Sequence, residues 1–402
     1  LEGMPEHEGT LRSLIRFTLG DQYWSDGQLA KARQAFETVS VDRTARGGQV
    51  GVLALSSLGM LLVEQGELQR ARQEFQAALE MSTLPDDRIL PAAAVACLGL
   101  AGLAYERNDL EEAGKELRKA FELGSRWGNP DTLANALLLQ ARRLHILEDT
   151  AGSLQSLGQA EELARGPGVT PWSELRIQAF RVRLWLEQEN LAAAERWVRG
   201  QNLEPEDEIT YPRQAAYLAL ARILIAQKKT ATAMALLERL LSRFEASEQK
   251  GRALEARLLQ ALVLMDLENI PGALNALRPA LAAGEQEGYR RIFLDEGAPL
   301  AGLLRHAGSQ GIYPKLVARL IAEYNQASGA FEAASQPLIE PLTERELEVL
   351  RLIAEGLSNQ AMAARLVVAL GTVKTHTANL YRKLDVTSRT QAVARARELG
   401  LL

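Results

Sequence analysis

The feature that most constrains this chain is a repeat. Leu19, Gly20, Tyr23, Gly27, Ala32 and Phe36 return as Leu58, Gly59, Leu62, Gly66, Ala71 and Phe75, an offset of 39 residues. Gly102, Tyr105, Ala113, Leu117 and Ala120 make a third copy with a shorter turn. Later copies are fainter: Leu224, Ala233 and Leu237 return as Leu264, Ala273 and Leu277 at an offset of 40, and Ala194 precedes Ala233 by 39. Self-similarity at such a period means stacked units, none of which buries its apolar face alone. Each unit reads as a pair of helices. The Gly and Ala positions are predicted to let the two helices approach, and Phe36 and Phe75 to wedge against the next pair. The turns SDGQ, EQGE and RNDLEE supply breakers and helix-starting acids. About seven pairs are expected up to about residue 295. Their spacing exceeds the roughly 34 residues of the commonest helical repeat, so the helices should be lengthened.

The rest of the composition agrees with an all-α reading. Aromatic residues are 5%, charged residues 24% and hydrophobic residues 47%, and good helix formers dominate over β-branched runs. At 402 residues more than one unit is expected. The most apolar stretch, PAAAVACLGLAGLAY at 91–105, is shorter than a membrane span and is followed by Glu106 and Arg107. The opening LEGMPEHEGT has neither a basic start nor an apolar run. The single cysteine, Cys97, fits a reducing compartment and an inert core thiol. The expected location is therefore cytoplasmic, with no membrane partner.

Catalytic and metal-binding patterns were sought. His7, His145, His306 and His376 are too dispersed to ligate one metal. The one Gly-Lys pair, Gly114-Lys115, precedes Glu116 and lacks the spacing of a phosphate-binding loop. No enzyme and no cofactor are therefore expected in this chain. Trp127, Trp172, Trp185, Trp197, Tyr211 and Tyr217 read first as packing residues. A concave repeat surface is also a binding surface, and Trp172, Arg181, Tyr211 and Tyr217 are the candidates for a ligand-facing set.

After Asp295 the pattern changes. Helical stretches at about 298–307 and 313–326 lead into QASGAFEAASQPLIEP, which reads as a linker. The division expected is 1–295 repeats, 296–340 short helices and linker, and 341–402 a second domain. Thr343 and Glu346 have capping-box spacing, Leu342 can staple onto Leu347, and Gly356 ends the first helix. Ser358 or Asn359 caps a second helix. A third carries GTVKTHTANLYRKL, and Ser388 with Gln391 opens a fourth that stops at Gly400. Four short helices with a tight turn between the second and third describe a helix-turn-helix. Val373, Leu380, Tyr381 and Leu384 mark the buried face of the third helix, and Lys374, Thr375, Ala378 and Arg382 share an exposed stripe. The chain is at −5 overall, yet residues 341–402 hold nine Lys and Arg against six acids, so this domain is +3 and the remainder −8. A locally basic helix anchored by its apolar face suits the major groove of DNA.

Residues 341–402, PLTERELEVLRLIAEGLSNQAMAARLVVALGTVKTHTANLYRKLDVTSRTQAVARARELGLL, resemble the LuxR-type DNA-binding domain. YERNDLEEA, RWGNPDTLANALLLQARR and GYRRIFLDEGAPLAGLL are similar to the tetratricopeptide-like sensor of the large ATP-binding LuxR-type regulators, the maltose-regulator-like group. The resemblance implies that Lys374 and Thr375 touch base edges or nearby phosphates, with Ala378 at a further base position. It also implies that Thr372, Arg382, Lys383 and Arg389 hold the backbone, and that Ser358 and Asn359 bring amides to a phosphate. Four positions depart from the family pattern. Ala378 replaces a longer polar residue, Ala369 replaces a capping Ser or Thr so that Gly371 or Thr372 is expected to start the helix, and Ala361 with Met362 replaces Glu-Ile. Members of the group also carry an N-terminal ATPase module. This chain starts at Leu1 and enters the repeats at once, so a portion of a longer regulator is expected, with ATP belonging to the absent part. The implied function is a transcription regulator that binds double-stranded promoter DNA as a homo-oligomer, with an inducer or protein partner at the solenoid and RNA polymerase as a further candidate partner. The alternative, suggested by Ala369 and Ala378, is an interaction scaffold whose second domain no longer reads DNA.

Overall fold

A computed structural model describes residues 9–42, 48–327, 342–366, 368–384, 386 and 388–398. Most of the expected linker and the helix stop at Gly400 lie outside the described residues, as does Asp385. The chain divides into two compact units, Leu1–Leu320 and Ile321–Leu402. The described residues are helical throughout, apart from turns and one isolated bridge between Thr83 and Ile89.

Unit 1 holds seven helix pairs among the described residues. They are α1 Gly9–Ser25 with α2 Leu29–Val41, α3 Gln49–Glu64 with α4 Leu68–Ser82, α5 Ala94–Glu106 with α6 Leu110–Trp127, α7 Pro130–Ile146 with α8 Thr150–Ala164, α9 Pro171–Glu187 with α10 Leu191–Gly200, α11 Gln214–Ala226 with α12 Thr230–Ala246, and α13 Lys250–Asp266 with α14 Ile270–Glu287. Most of the repeat residues do the packing expected of them, although Leu19 is 40% exposed. Ala32, Phe36, Ala71, Phe75, Ala113, Leu117, Ala233, Leu237, Ala273 and Leu277 are all fully or almost fully buried. A Cβ on Gly20 would lie 2.6 Å from the Phe36 ring, and one on Gly59 2.5 Å from the Phe75 ring. Gly99, on the next pair, would collide with the same Phe75 ring, so this one side chain is clamped between successive pairs. The third copy differs from expectation. Its turn is not shorter: Asn108 stands two residues before α6 as Gly27 and Gly66 stand before α2 and α4, so the buried Ala101 falls in register with Gly20 and Gly59, and a Cβ on Gly102 would meet nothing within 4 Å.

Every turn inside a pair is built the same way. Gly27, Gly66, Asn108, Glu148, Glu189, Lys228 and Glu268 have positive φ between 57° and 80° and stand two residues before the second helix. The amide that follows each one bonds a carbonyl five residues back, as in Gln28 to Tyr23, Glu67 to Leu62, Asp149 to Leu144 and Asn269 to Leu264. This is the Schellman closure, which satisfies the open carbonyls at a helix C-terminus. Only the first two copies use glycine for it, which is why the later turns read faintly in the sequence.

α15 Arg291–Leu294 and α16 Gly297–Ser309 follow, and Leu300, Leu303 and Leu304 of α16 are buried. Unit 1 therefore extends past the boundary expected at 295. The superhelix also closes on itself. Glu64 at the end of α3 accepts hydrogen bonds from Tyr211 Oη at 2.7 Å and Arg252 Nη2 at 3.3 Å. Gln69 on α4 bonds Glu287 and the Gln286 carbonyl. Arg290 donates its amide to the Glu106 carbonyl, and Tyr105 donates to Asp295 at 2.9 Å.

Unit 2 is assembled from α17 Pro314–Ala327, which begins in unit 1, and from α18 Glu344–Ala354, α19 Asn359–Leu366, α20 Leu370–Leu384 and α21 Arg389–Glu398. The last four share one apolar core around Val349, Leu350, Ile353, Met362, Leu380 and Ala392.

Candidate nucleic-acid interface and ligand cavity

The basic helix α20 is held by its apolar side. Val373 and Leu380 are fully buried and Leu384 is 2% exposed, while Tyr381 packs at the edge of the same core. On the opposite side Thr372, Lys374, Thr375, Ala378 and Arg382 are all exposed. Lys374 has no hydrogen bond or ion pair among the described residues, so its ammonium is available to an outside anion. The Thr375 hydroxyl donates to the Gly371 carbonyl at 3.0 Å, which fixes its rotamer and leaves its oxygen facing outward. The helix starts at Leu370 with Ala369 in the capping position, not at Gly371 or Thr372 as expected. The Thr372 amide meets only the Ala369 carbonyl, since alanine offers no capping oxygen. Asn379, one turn beyond Thr375 and also exposed, lies on the same surface and was missed in the sequence reading, although its i+4 spacing from Thr375 was the signal for it.

The supports of this helix take two residues that the sequence reading assigned to phosphates. Thr343 and Glu346 form the capping box of α18. The same Glu346 carboxylate accepts from Lys383 Nζ at 2.8 Å, with the two side chains 5% and 10% exposed. Burial alone would raise the Glu346 pKa, but Lys383 and the Thr343 hydrogen bonds hold it below the ordinary carboxylate range. Lys383 therefore ties α20 to α18 instead of standing free on the outer face. Arg389 is placed similarly. Its guanidinium donates to the carbonyls of Ile353 at 2.9 Å and Leu357 at 2.7 Å, closing the C-terminal end of α18. Ser358 caps α19 by accepting the Ala361 amide at 3.2 Å, and Asn359 is the first helical residue.

Unit 1 encloses a cavity of about 730 Å³, lined by the first helices of the pairs and by the residues that close the superhelix. Of the four ligand-facing candidates only Trp172 lies on its wall. Arg181 points off that face and forms a two-point bond to Glu161 at 2.8 and 2.9 Å. Tyr211 is 7% exposed and spends its hydroxyl on Glu64. Tyr217 is fully buried and donates to Asp207. These three are engaged in packing and closure contacts: Arg181 and Tyr217 with neighbouring side chains off the wall, and Tyr211, in the short turn before α11, with Glu64.

What the wall carries instead is charge. Arg142, Arg176, Arg183, Arg222 and Arg252 line it. Four of them are paired: Arg222 with Glu296 at 2.6 Å and Glu255 at 3.0 Å, Arg183 with Glu296 at 3.6 Å, Arg142 with Asp295 at 3.3 Å, and Arg252 with Glu64 at 3.3 Å. Asp295 and Glu296 would be pushed up by burial, but these arginines, with Arg291 beside Asp295, hold both below the ordinary range. Burial pushes Asp21 up to about 7, and it pushes Glu106 up to about 7 as well, where Arg142 and Arg291 oppose it only in part. A signal for this set was present in the sequence: Arg142, Arg183 and Arg222 recur at 41 and 39 residues, the spacing of the repeat.

Residues 1–310 match the family described as the MalT-like TPR region, and residues 340–396 match the bacterial regulatory proteins of the luxR family. The HTH-type transcriptional regulator MalT of Serratia proteamaculans is 24% identical over 401 residues, covering 94% of this chain and 44% of the relative. The chain thus spans less than half the length of that relative. Among solved structures, a signal-transduction ATPase with numerous domains and a tetratricopeptide repeat sensor from Pyrococcus horikoshii aligns at a TM-score of 0.41 and 13% identity, over 80% of this chain and 49% of that one. The apo form of RapI aligns at 0.40 and 11%, over 96% and 98%. With the repeat family matched over most of its length, the chain belongs to the MalT-like TPR-region family and carries a luxR-family regulatory domain after its repeats.

Proposed function

We propose that the chain is a DNA-binding transcriptional regulator whose second unit lays α20 in the major groove of promoter DNA. The observation that carries this is one helix with two opposed faces: Val373, Leu380 and Leu384 sunk in the core, and Lys374, Thr375, Ala378 and Arg382 exposed. In this reading Lys374, Thr375 and Asn379 reach base edges or adjacent phosphates, while Thr372, Arg382 and the α19 start at Ser358 and Asn359 hold the backbone. Lys383 and Arg389 act one step back by fixing α20 and α18. The repeat unit is the sensor, taking an inducer in its cavity or a protein partner on its outer surface. Binding as a homo-oligomer and contact with RNA polymerase belong to the same reading, as does a cytoplasmic setting. No helix among the described residues is long and apolar enough to cross a membrane. No catalytic step is assigned to these residues.

The test is selection of genomic fragments on the purified chain, followed by titration of the best fragment at two salt concentrations. A specific fragment, a salt slope of about −0.9 per neutralised phosphate, and a loss of about tenfold or more for Lys374→Ala are expected. Equal binding of all fragments, or a variant that behaves like the parent, would favour the scaffold reading that the uncapped Ala369 suggests.

A further inference from the structure

Among the described residues, the cavity of unit 1 has one wall cation without a hydrogen bond or ion pair. Arg176 lies on its wall, one turn after Trp172 on α9, and makes no hydrogen bond, ion pair or ring contact among the described residues. Its charged neighbours are already engaged. Glu64 serves Arg252, Tyr211 and Trp24. Asp131 accepts from the Thr170 amide and hydroxyl at 2.8 Å each and from Asn135. Arg252 and Arg142 add like charge, and burial together with these cations pushes the Arg176 guanidinium down to about 10. It is still a cation at neutral pH. Arg176 is half-buried, so its guanidinium keeps only part of its hydration, and with no counter-ion among the described residues its donors face the cavity for an anion to take. Four buried polar atoms without a partner, Glu106 Oε2, Asn135 Oδ1, Arg252 Nε and Tyr289 Oη, belong to residues on the same wall. The site thus has unmet hydrogen-bonding capacity, where a structural core would have met it.

We propose that the cavity takes a small organic anion whose carboxylate or phosphate pairs with Arg176 while its apolar body lies against Trp172 and Phe180. This rests on the reading of unit 1 as the sensor and names the chemical class sensed. The fork of the guanidinium matches the two oxygens of a carboxylate or phosphate, and the aromatic walls suit an unsaturated or ring-bearing body. A volume of about 730 Å³ fits a metabolite.

The experiment follows tryptophan emission and thermal stability of the full chain with phenylacetate, citrate and inorganic phosphate, against neutral phenylethanol and glucose. Saturable change with at least one of the three anions is expected, phenylacetate separating an organic carboxylate from bare phosphate. Arg176→Gln should weaken that binding tenfold or more, with Arg176→Lys intermediate. In buffer free of these anions Arg176→Gln should melt higher than the parent, because it removes an unpaired charge; a structural arginine would give the opposite sign. A lower melting point for Arg176→Gln, or equal binding of anions by both proteins, overturns the assignment. Binding of only the neutral probes, or no response to any of the five, overturns the anion class, and the sensor reading then rests on a neutral inducer in the first case and on a protein partner in the second.

Discussion

At the residue scale, identity of letter and identity of role part company in the glycines. Gly20, Gly59 and Gly102 read as equivalent in the sequence pattern, yet only the first two face a phenylalanine ring. Gly99, which the pattern did not single out, faces the most crowded one. Gly99→Ala is therefore expected to destabilise unit 1 by about 1–3 kcal/mol, since a close-packed ring has nowhere to go. Gly102→Ala should be neutral or stabilise by about 0.5–1 kcal/mol, the usual gain from alanine inside a helix. Chemical denaturation of both variants against the parent checks the contrast, and equal losses would refute the wedge. The same divergence applies to the aromatic candidates. Trp172 reached the cavity while Tyr211 and Tyr217 did not, because size and aromaticity identify a buried residue without saying which side of its helix is the inner one.

At the element scale, the helices were legible because their signals are local. The Thr343–Glu346 capping box and the Ser358 cap are formed as spaced, and Gly356 follows α18 at a φ of 85°. Where the local signal was missing, the reading of the boundary failed. Alanine at 369 suggested a later start, but the helix begins at Leu370 all the same, since Val373 and Leu380 fix it from the core side. The missing cap is then a deficit in stability and not in geometry. Ala369→Ser should supply an oxygen to the Thr372 amide and stabilise unit 2 by about 1 kcal/mol. A rise in the midpoint of its unfolding transition, with the DNA salt slope unchanged, is the expected result; no rise would mean the first turn is already satisfied by water. The turns of the repeat teach a related lesson. Their left-handed residue persists in all seven pairs, but five of the seven are Asn, Glu or Lys, so the conformation outlasts the glycine that would announce it.

At the scale of the whole molecule, the distinctive event is closure of the superhelix. Glu64 gathers Trp24, Tyr211 and Arg252 from sequence distances of 40, 147 and 188 residues. Glu64→Gln leaves the shape intact but strands Arg252, and a cost of about 3 kcal/mol is expected, as for a partly buried pair that loses one member. Hydrogen exchange should rise together at the end of α3 and along α11 and α13, and a change confined to α3 would show that the contact does not hold the ring. The sequence by itself determined the all-α class, the seven helix pairs, the helix-turn-helix and the polarity of α20, because each is written in spacings of a few residues or in a fixed repeat. The tertiary structure alone decided that the repeats bend into a closed turn, that Lys383 and Arg389 are spent inside unit 2, and that five arginines meet around one cavity with Arg176 left unpaired. Those outcomes depend on small rotations summed over many pairs and on contacts between residues far apart in the chain, and no local spacing encodes either.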